Sequence, residues 1–159
     1  MPVFPNSVRR ILPCVALSAC LAVAWAAPPP ASDPLREDVL GATMAGEFAL
    51  QAGRLDEAAA WYLDAARAAG DGDPGLAERA TRIALLGKDD RTAAAALALW
   101  RARAPESLAM RAAEATLALR NGRSRRALRH LRGLMAEPDP AGWRHALAAV
   151  TFRAVPGLT

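Results

Sequence analysis

Three alanines of this chain, Ala58, Ala93 and Ala127, recur at spacings of 35 and 34 residues. Each follows a small loop residue by a few positions and lies near the start of an alanine-rich helical pattern. A period near 34 residues, with small residues where two helices must touch, is typical of stacked helical hairpins and not of one closed globule. Such arrays usually present a binding surface, so the period favours binding over catalysis.

Prolines and glycines divide the repeat region into helices. Four prolines precede helical patterns, and three of them follow an aspartate that can cap the helix: Pro34, Pro74, Pro105 and Pro140. Three glycines fall where a helix should end: Gly53, Gly87 and Gly122. The sequence therefore predicts seven helices, at 36–52, 55–69, 74–86, 90–103, 106–120, 124–136 and 140–152. Short loops between them require neighbouring helices to pack antiparallel.

The first residues are typical of an export signal and not of a folded domain. Arg9 and Arg10 precede an apolar run at 11–25, which is shorter than the roughly 20 residues that a transmembrane helix needs. We therefore expect a signal peptide at 1–26, a proline-rich linker at 27–34, a helical repeat domain at 35–154 and a tail at 155–159.

Two processing routes remain open at the leader. Cleavage after Ala26 would release a periplasmic protein that begins at Ala27. Alternatively, the residues before Cys20 resemble a bacterial lipobox, so Cys20 would be lipidated and the protein anchored to the outer membrane. The only cysteines, Cys14 and Cys20, both lie in the leader. A chain beginning at Ala27 could form neither a disulfide nor a cysteine metal site.

The repeat resembles the tetratricopeptide repeat, whose units have small residues at helix contacts, a glycine at the inner turn and a packing residue late in the second helix. The matching positions are Gly46, Gly53, Ala58, Tyr62 and Ala65 in the first unit, Ala84, Gly87, Ala93, Leu97 and Pro105 in the second, and Ala115, Ala118, Gly122, Ala127 and Leu131 in the third. Residues 73–85 are similar to periplasmic repeat proteins of proteobacteria, among them a lipoprotein adaptor of a carboxy-terminal processing protease. The resemblance implies an all-α fold, an α-α superhelix of about three helical hairpins plus a final helix.

Two departures from the family pattern matter. Gly87 lies one position early in the second unit, and a fourth unit begins near Ala141 but stops after one helix. This last helix is either a terminal cap or part of an array shortened relative to longer relatives. It is apolar for a cap, with Trp143, Leu147 and Phe152, so we expect an exposed apolar end that favours self-association.

Residue sets that support catalysis or metal binding are sparse. The two histidines, His130 and His145, lie on different predicted helices, whereas metal ligands come in spaced clusters. Ser107 and Ser124 lack the glycines of a nucleophile elbow. We therefore expect no enzyme activity, no cofactor and no metal. Aromatic residues do not alternate with the arginines, which argues against a nucleic-acid partner.

Arginines cluster near the end of the third unit, at Arg120, Arg123, Arg125, Arg126, Arg129 and Arg132. Three of them, Arg125, Arg129 and Arg132, recur at spacings of four and three and so share a helix face. This face is either simply solvated or meets an acidic partner or anionic lipid headgroups.

In a tetratricopeptide-type array the first helix of each hairpin lines the concave face. The resemblance therefore implies a protein-binding groove formed by Thr43, Glu47, Leu50, Glu78, Arg82, Leu85, Ala112, Thr116 and Leu119. Mixed charge beside leucines suits an extended peptide or a partner helix. We expect an exported scaffold or adaptor that binds a protein or peptide partner in the cell envelope. The alternative is a self-associating structural fragment of a longer envelope protein.

Overall fold

The structure, a computed structural model, describes residues 34–138 and 140–154. This part of the chain is entirely helical and contains no strand. Its seven helices are α1 (Pro34–Gln51), α2 (Leu55–Ala68), α3 (Pro74–Leu86), α4 (Asp90–Arg103), α5 (Leu108–Arg120), α6 (Ser124–Met135) and α7 (Ala141–Ala154). Every bound lies within about two residues of its predicted position. The expected signal peptide with Cys20, the linker up to residue 33 and the tail at 155–159 lie outside the described residues.

The three inner turns have the same backbone hydrogen bonds. In each turn, the backbone N–H two residues after the C-cap residue of the first helix donates to the carbonyl of the residue five positions earlier. This bond closes the turn. The bonds are Arg54 N to Ala49 O (2.9 Å), Asp89 N to Ala84 O (2.9 Å) and Arg123 N to Ala118 O (2.8 Å). The acceptor residues are 35 and 34 apart, as are the alanines that first indicated the repeat. The three hairpins are therefore structurally equivalent at their turns.

The second turn corrects one detail of the sequence analysis. Gly53 and Gly122 have positive φ angles of 73° and 67°, as predicted for left-handed turn residues, but Gly87 has φ −72°. The equivalent left-handed position is occupied by Lys88, with φ 62°. Gly87 instead lies against α2, where an added Cβ would be 3.0 Å from the Leu55 Cβ. Its smallness therefore serves helix packing and not turn geometry.

Side-chain caps define several of the helix starts. The Asp73 carboxylate accepts from Gly75 N at 2.7 Å, with Pro74 as the first residue of α3, as predicted. The start of α5 is different, because Ser107 and not Pro105 precedes the helix. The Ser107 hydroxyl accepts from Met110 N at 3.2 Å. The hydroxyl provides the acceptor that a proline side chain lacks, so the helix begins two residues later than predicted.

Small residues bring the helices of each hairpin close together. Ala58, Ala93 and Ala127 are fully buried, and each lies near the start of a second helix. Gly46 on α1 is equally constrained, because an added Cβ would lie 2.9 Å from the ring of Tyr62 on α2. At that distance an added methyl group requires the buried Tyr62 ring to shift. The repeat in the sequence is therefore a repeat of helix contacts.

Each helix packs against the next one along the chain, and α2 also meets α4, α3 meets α5, and α5 meets α7. Contacts to the next two helices are what an α-α superhelix produces, so the fold class is as expected. The core has two apolar clusters that meet at α5. Met110 and Ala113 of α5 belong to the cluster shared with α1–α4, and Ala112 and Ala115 to the cluster shared with α6 and α7.

Candidate functional site

An open groove with a volume of about 400 Å³ is bordered by α3, α5 and α7, which are the first helices of the second and third hairpins and the final helix. Its floor consists of small buried side chains, such as Ala112 and Ala149, with Trp100 of α4 beneath. Its rim is formed by Leu86 and Phe152, which are 56% and 43% exposed. Exposed apolar side chains around a concave surface are typical of a site that binds another molecule.

Four of the nine predicted binding residues line this groove: Arg82, Leu85, Ala112 and Thr116. The Thr116 hydroxyl lies 3.0 Å from the Ala112 carbonyl and 3.4 Å from that of Ala149, so the structure already satisfies it. Arg82 is exposed and pairs with Glu78, another predicted residue, at 2.5 Å on the same helix face. An exposed pair at this spacing is weak, so a ligand carboxylate can replace Glu78 as the partner of Arg82.

The predicted residues on α1 do not line the groove. The Thr43 hydroxyl donates to the Val39 carbonyl at 2.7 Å, and Leu50 packs against the first apolar cluster. Leu119, near the end of α5, is half-buried and also lies outside the groove. The groove is therefore confined to the second and third hairpins and the final helix, and α7 forms one of its walls.

The remaining predicted residue, Glu47, joins three helices. Its carboxylate accepts from the Tyr62 hydroxyl on α2 and from Arg79 on α3, whose Nη2 is 2.5 Å away. The Arg79 guanidinium also lies over the Tyr62 ring, 4.9 Å from its centroid. Burial, together with the hydrogen bond to Glu47, raises the pKa of Tyr62 to about 12. This cluster holds the first hairpin against the second, so Glu47 has a structural role here.

A second ionic cluster centres on Glu114 of α5, which is only 7% exposed. Arg101 of α4 lies 3.1 Å from its carboxylate, and His130 and Arg126 of α6 lie at 3.2 Å and 3.9 Å. Buried carboxylates require such partners because desolvation of an unpaired charge is costly. The cluster forms one wall of a polar cleft of about 440 Å³ between α4 and α6, and it connects three successive helices.

His130 has an unusual environment within this cluster. Burial lowers the pKa of His130 below its usual value; the Glu114 carboxylate opposes this shift, and Arg126, Arg129 and Arg101 reinforce it. The imidazole is therefore predominantly neutral at neutral pH, and its Nδ1 lies within hydrogen-bonding distance of Glu114.

The sequence analysis did not identify Glu114. Its one visible signal is that it is the only acidic residue in α5 and is flanked by alanines at 112, 113 and 115. A charged residue within a run that forms helix contacts must be buried with partners. Of its partners, Arg126 appeared in the sequence only as a member of the arginine cluster and His130 only as an isolated histidine, since the sequence does not specify which helices face α5.

The arginines of the third unit divide into two groups. Arg120 is largely buried; its guanidinium lies 2.7 Å from the Asp90 carboxylate and donates to the Leu85 carbonyl at 2.6 Å. By contrast, Arg125, Arg129 and Arg132 are exposed and form none of the ion pairs found at 34–138 and 140–154. The predicted shared face on α6 is therefore strongly basic.

The described ranges contain neither a metal-binding cluster nor a membrane-spanning helix. Histidine, cysteine and acidic side chains there form no group of three or more that could hold a metal ion. Within the same residues, none of the helices combines the length and apolar character required to cross a bilayer.

Comparison of the sequence with models of known protein families and with curated proteins finds no match. The groove and the two ionic clusters are thus the features of the described residues that bear on function.

Proposed function

We propose that this chain is an adaptor of the tetratricopeptide type that binds a peptide or helix of a partner protein in the groove formed by α3, α5 and α7. The observation that supports this most is the combination of a concave, alanine-lined floor with an exposed apolar rim at Leu86 and Phe152. Isolated exposed leucines are ordinary, whereas apolar side chains converging on one concavity favour an apolar partner.

The polar groups of the groove indicate the chemistry of that partner. Arg82 lies at one wall and His145 at the other, and the surface between them is apolar or small. A segment with bulky apolar residues and one carboxylate would bury its side chains over the floor and pair its charge with Arg82. Backbone groups of the partner would remain at the open side, in water.

The leader supports a location in the cell envelope. Arg9, Arg10 and the apolar run at 11–25 are the pattern of an exported protein. Intact mass of the protein recovered from the envelope checks this and separates the two processing routes. A chain beginning at Ala27 indicates a periplasmic protein, a chain beginning at acylated Cys20 indicates an outer-membrane lipoprotein, and an unprocessed cytosolic chain contradicts export.

A displayed peptide library selected on the protein tests the groove. We expect selected peptides to combine bulky apolar residues with an acidic residue. Leu86→Arg should weaken their affinity by about tenfold or more, because an arginine at the rim must be desolvated when the peptide binds. Arg82→Ala should weaken binding of the acidic peptides and not of their amide counterparts.

A matched control is Phe48→Arg, the same kind of change at an exposed position on α1, away from the groove. Its affinity for the selected peptides should equal that of the wild type. The groove assignment is wrong if Leu86→Arg and Phe48→Arg bind the selected peptides equally well.

A further inference from the structure

The first and last helices of the described residues both expose a continuous apolar stripe. On α1 the stripe consists of Leu40, Met44 and Phe48, each at least 50% exposed. On α7 it consists of Trp143, Leu147 and Val150, each at least 47% exposed. Their spacings of four, and of four and three, place each set on one helix face. The α1 stripe lies opposite the buried residues Gly46 and Ala49, whereas the α7 stripe lies about 100° around the helix from the buried residues Ala146 and Ala149.

The inner helices differ from these two. Among the described residues, α2 and α3 each expose one large apolar side chain, α6 exposes two, and α4 and α5 expose none. In a stacked array every inner hairpin is covered on both sides, and an uncovered end normally has a polar surface. The two apolar stripes therefore need another surface to cover them. The α1 stripe of one copy can cover the α7 stripe only of another copy.

The charge distribution favours the same arrangement. Residues 34–90 contain 11 acidic and 6 basic side chains, whereas residues 91–154 contain 4 acidic and 12 basic ones, so the net charges are −5 and +8. Helix α1 has three acidic residues and one basic residue, and two of the acidic ones, Glu37 and Asp38, are exposed. Beside the α7 stripe the Arg144 guanidinium lies 5.7 Å from the centroid of the Trp143 ring. Two identical ends would repel each other, whereas unlike ends attract.

We infer that copies of this chain associate head to tail, with the acidic α1 end of one copy packed on the basic α7 end of the next. Such a heterologous contact uses two different surfaces, so it extends the helical array from one molecule to the next, as an open chain or as a ring of several copies. The groove remains open in each copy, because the α7 residues that line it, such as His145 and Phe152, lie on a different helix face from the α7 stripe. The inference is therefore independent of the proposed peptide binding.

Light scattering of the purified exported protein over a range of concentrations measures the association. We expect the mass to rise with concentration above that of one copy, which is below the 16.7 kDa of the unprocessed chain, and past that of two copies. Raising the salt concentration should lower the mass at a given protein concentration, since it screens the charges of the two ends. A monomer at every concentration overturns the inference.

Two variants block one end each. Phe48→Arg places an unpaired charge in the α1 stripe, and Leu147→Arg places one in the α7 stripe. Both positions are exposed, so circular dichroism should confirm an unchanged helix content. Each variant alone has one intact end and one blocked end; because head-to-tail contact needs both, each should be a monomer. Leu86→Arg in the groove is the matched control and should associate like the wild type.

Mixing the two variants gives the deciding measurement. The intact α7 end of Phe48→Arg can meet the intact α1 end of Leu147→Arg, while the two blocked ends both hold arginine and repel. We expect a dimer with one copy of each, and no larger species. If Phe48→Arg alone forms dimers while Leu147→Arg does not, α7 pairs with α7 and the head-to-tail arrangement is wrong. A mixture that stays monomeric also contradicts it.

Discussion

The α1–α4 region and the α5–α7 region share one hairpin register but differ in what holds their helices together. In α1–α4, buried alanines surround two large side chains, Tyr62 and Trp100, both 1% exposed, and the ion pair between Glu47 and Arg79 is half-exposed. In α5–α7, the large fully buried apolar side chain is Leu134, and a buried carboxylate, Glu114, pairs with cations from the flanking helices. Turn geometry and small contact residues thus set how the two helices of each hairpin align. Either apolar or ionic contacts can then hold the helices together.

The largest expected effect is in the apolar region. Trp100→Ala should lower the free energy of unfolding by about 3–5 kcal/mol, because it removes a fully buried ring and leaves a cavity. Urea denaturation measures this change. The loss should be the same at low and high salt, since no charge is involved. A loss that shrinks strongly with salt would contradict the apolar character assigned to this region.

A smaller, salt-dependent effect is expected in the ionic region. Glu114→Gln should lower the free energy of unfolding by about 2 kcal/mol, because Arg101 and His130 lose their charged partner. Arg101 is half exposed, so added salt should reduce the difference from the wild type. Hydrogen exchange should accelerate in α6 and not in α1 or α2.

The matched control is Glu106→Gln, since the Glu106 carboxylate is exposed and pairs with Arg111 at 3.0 Å. It should change the free energy of unfolding by less than about 1 kcal/mol. Equal losses for Glu114→Gln and Glu106→Gln would show that the buried cluster does not stabilise the α5–α7 region.

The smallest expected effect is a change in how the free energy of unfolding depends on pH, and it comes from His130 in the α5–α7 region. Because the pKa of His130 is lowered in the folded protein, the unfolded chain binds the proton more tightly. Stability from this group is therefore complete above the unfolded pKa, near 6.5, and is lost as the pH falls through the folded pKa. His130→Asn should flatten this part of the pH profile, measured by urea denaturation between about pH 5 and 7. Trp100→Ala leaves His130 and Glu114 in place, so its free energy of unfolding should depend on pH as steeply as that of the wild type.

The helices were predictable to within about two residues because their signals are local. Asp73 with Pro74 begins α3, and Gly53 and Gly122 end their helices by backbone geometry that needs no distant partner. The two local errors have local causes as well. Lys88 adopts the left-handed conformation one residue after the glycine, and the Ser107 hydroxyl caps α5 in place of the proline.

The candidate site was predicted less completely. The resemblance to the tetratricopeptide repeat selected Arg82, Leu85, Ala112 and Thr116, which line the groove, because it places binding residues on the first helix of each hairpin. It also selected residues on α1, which the groove does not reach. It missed the rim residues Leu86 and Phe152, because periodicity shows which residues share a helix face and not which face stays uncovered after packing.

The sequence by itself determined the number of helices, their ends, the three equivalent turns and the contact alanines. Each of these depends on hydrogen bonds or side-chain sizes within a single helical hairpin. Only the tertiary structure decided that α7 closes a groove with α3 and α5, and that Glu114 meets cations from α4 and α6. The reason is physical: those contacts depend on how successive hairpins rotate as they stack, and that rotation results from all interfaces together.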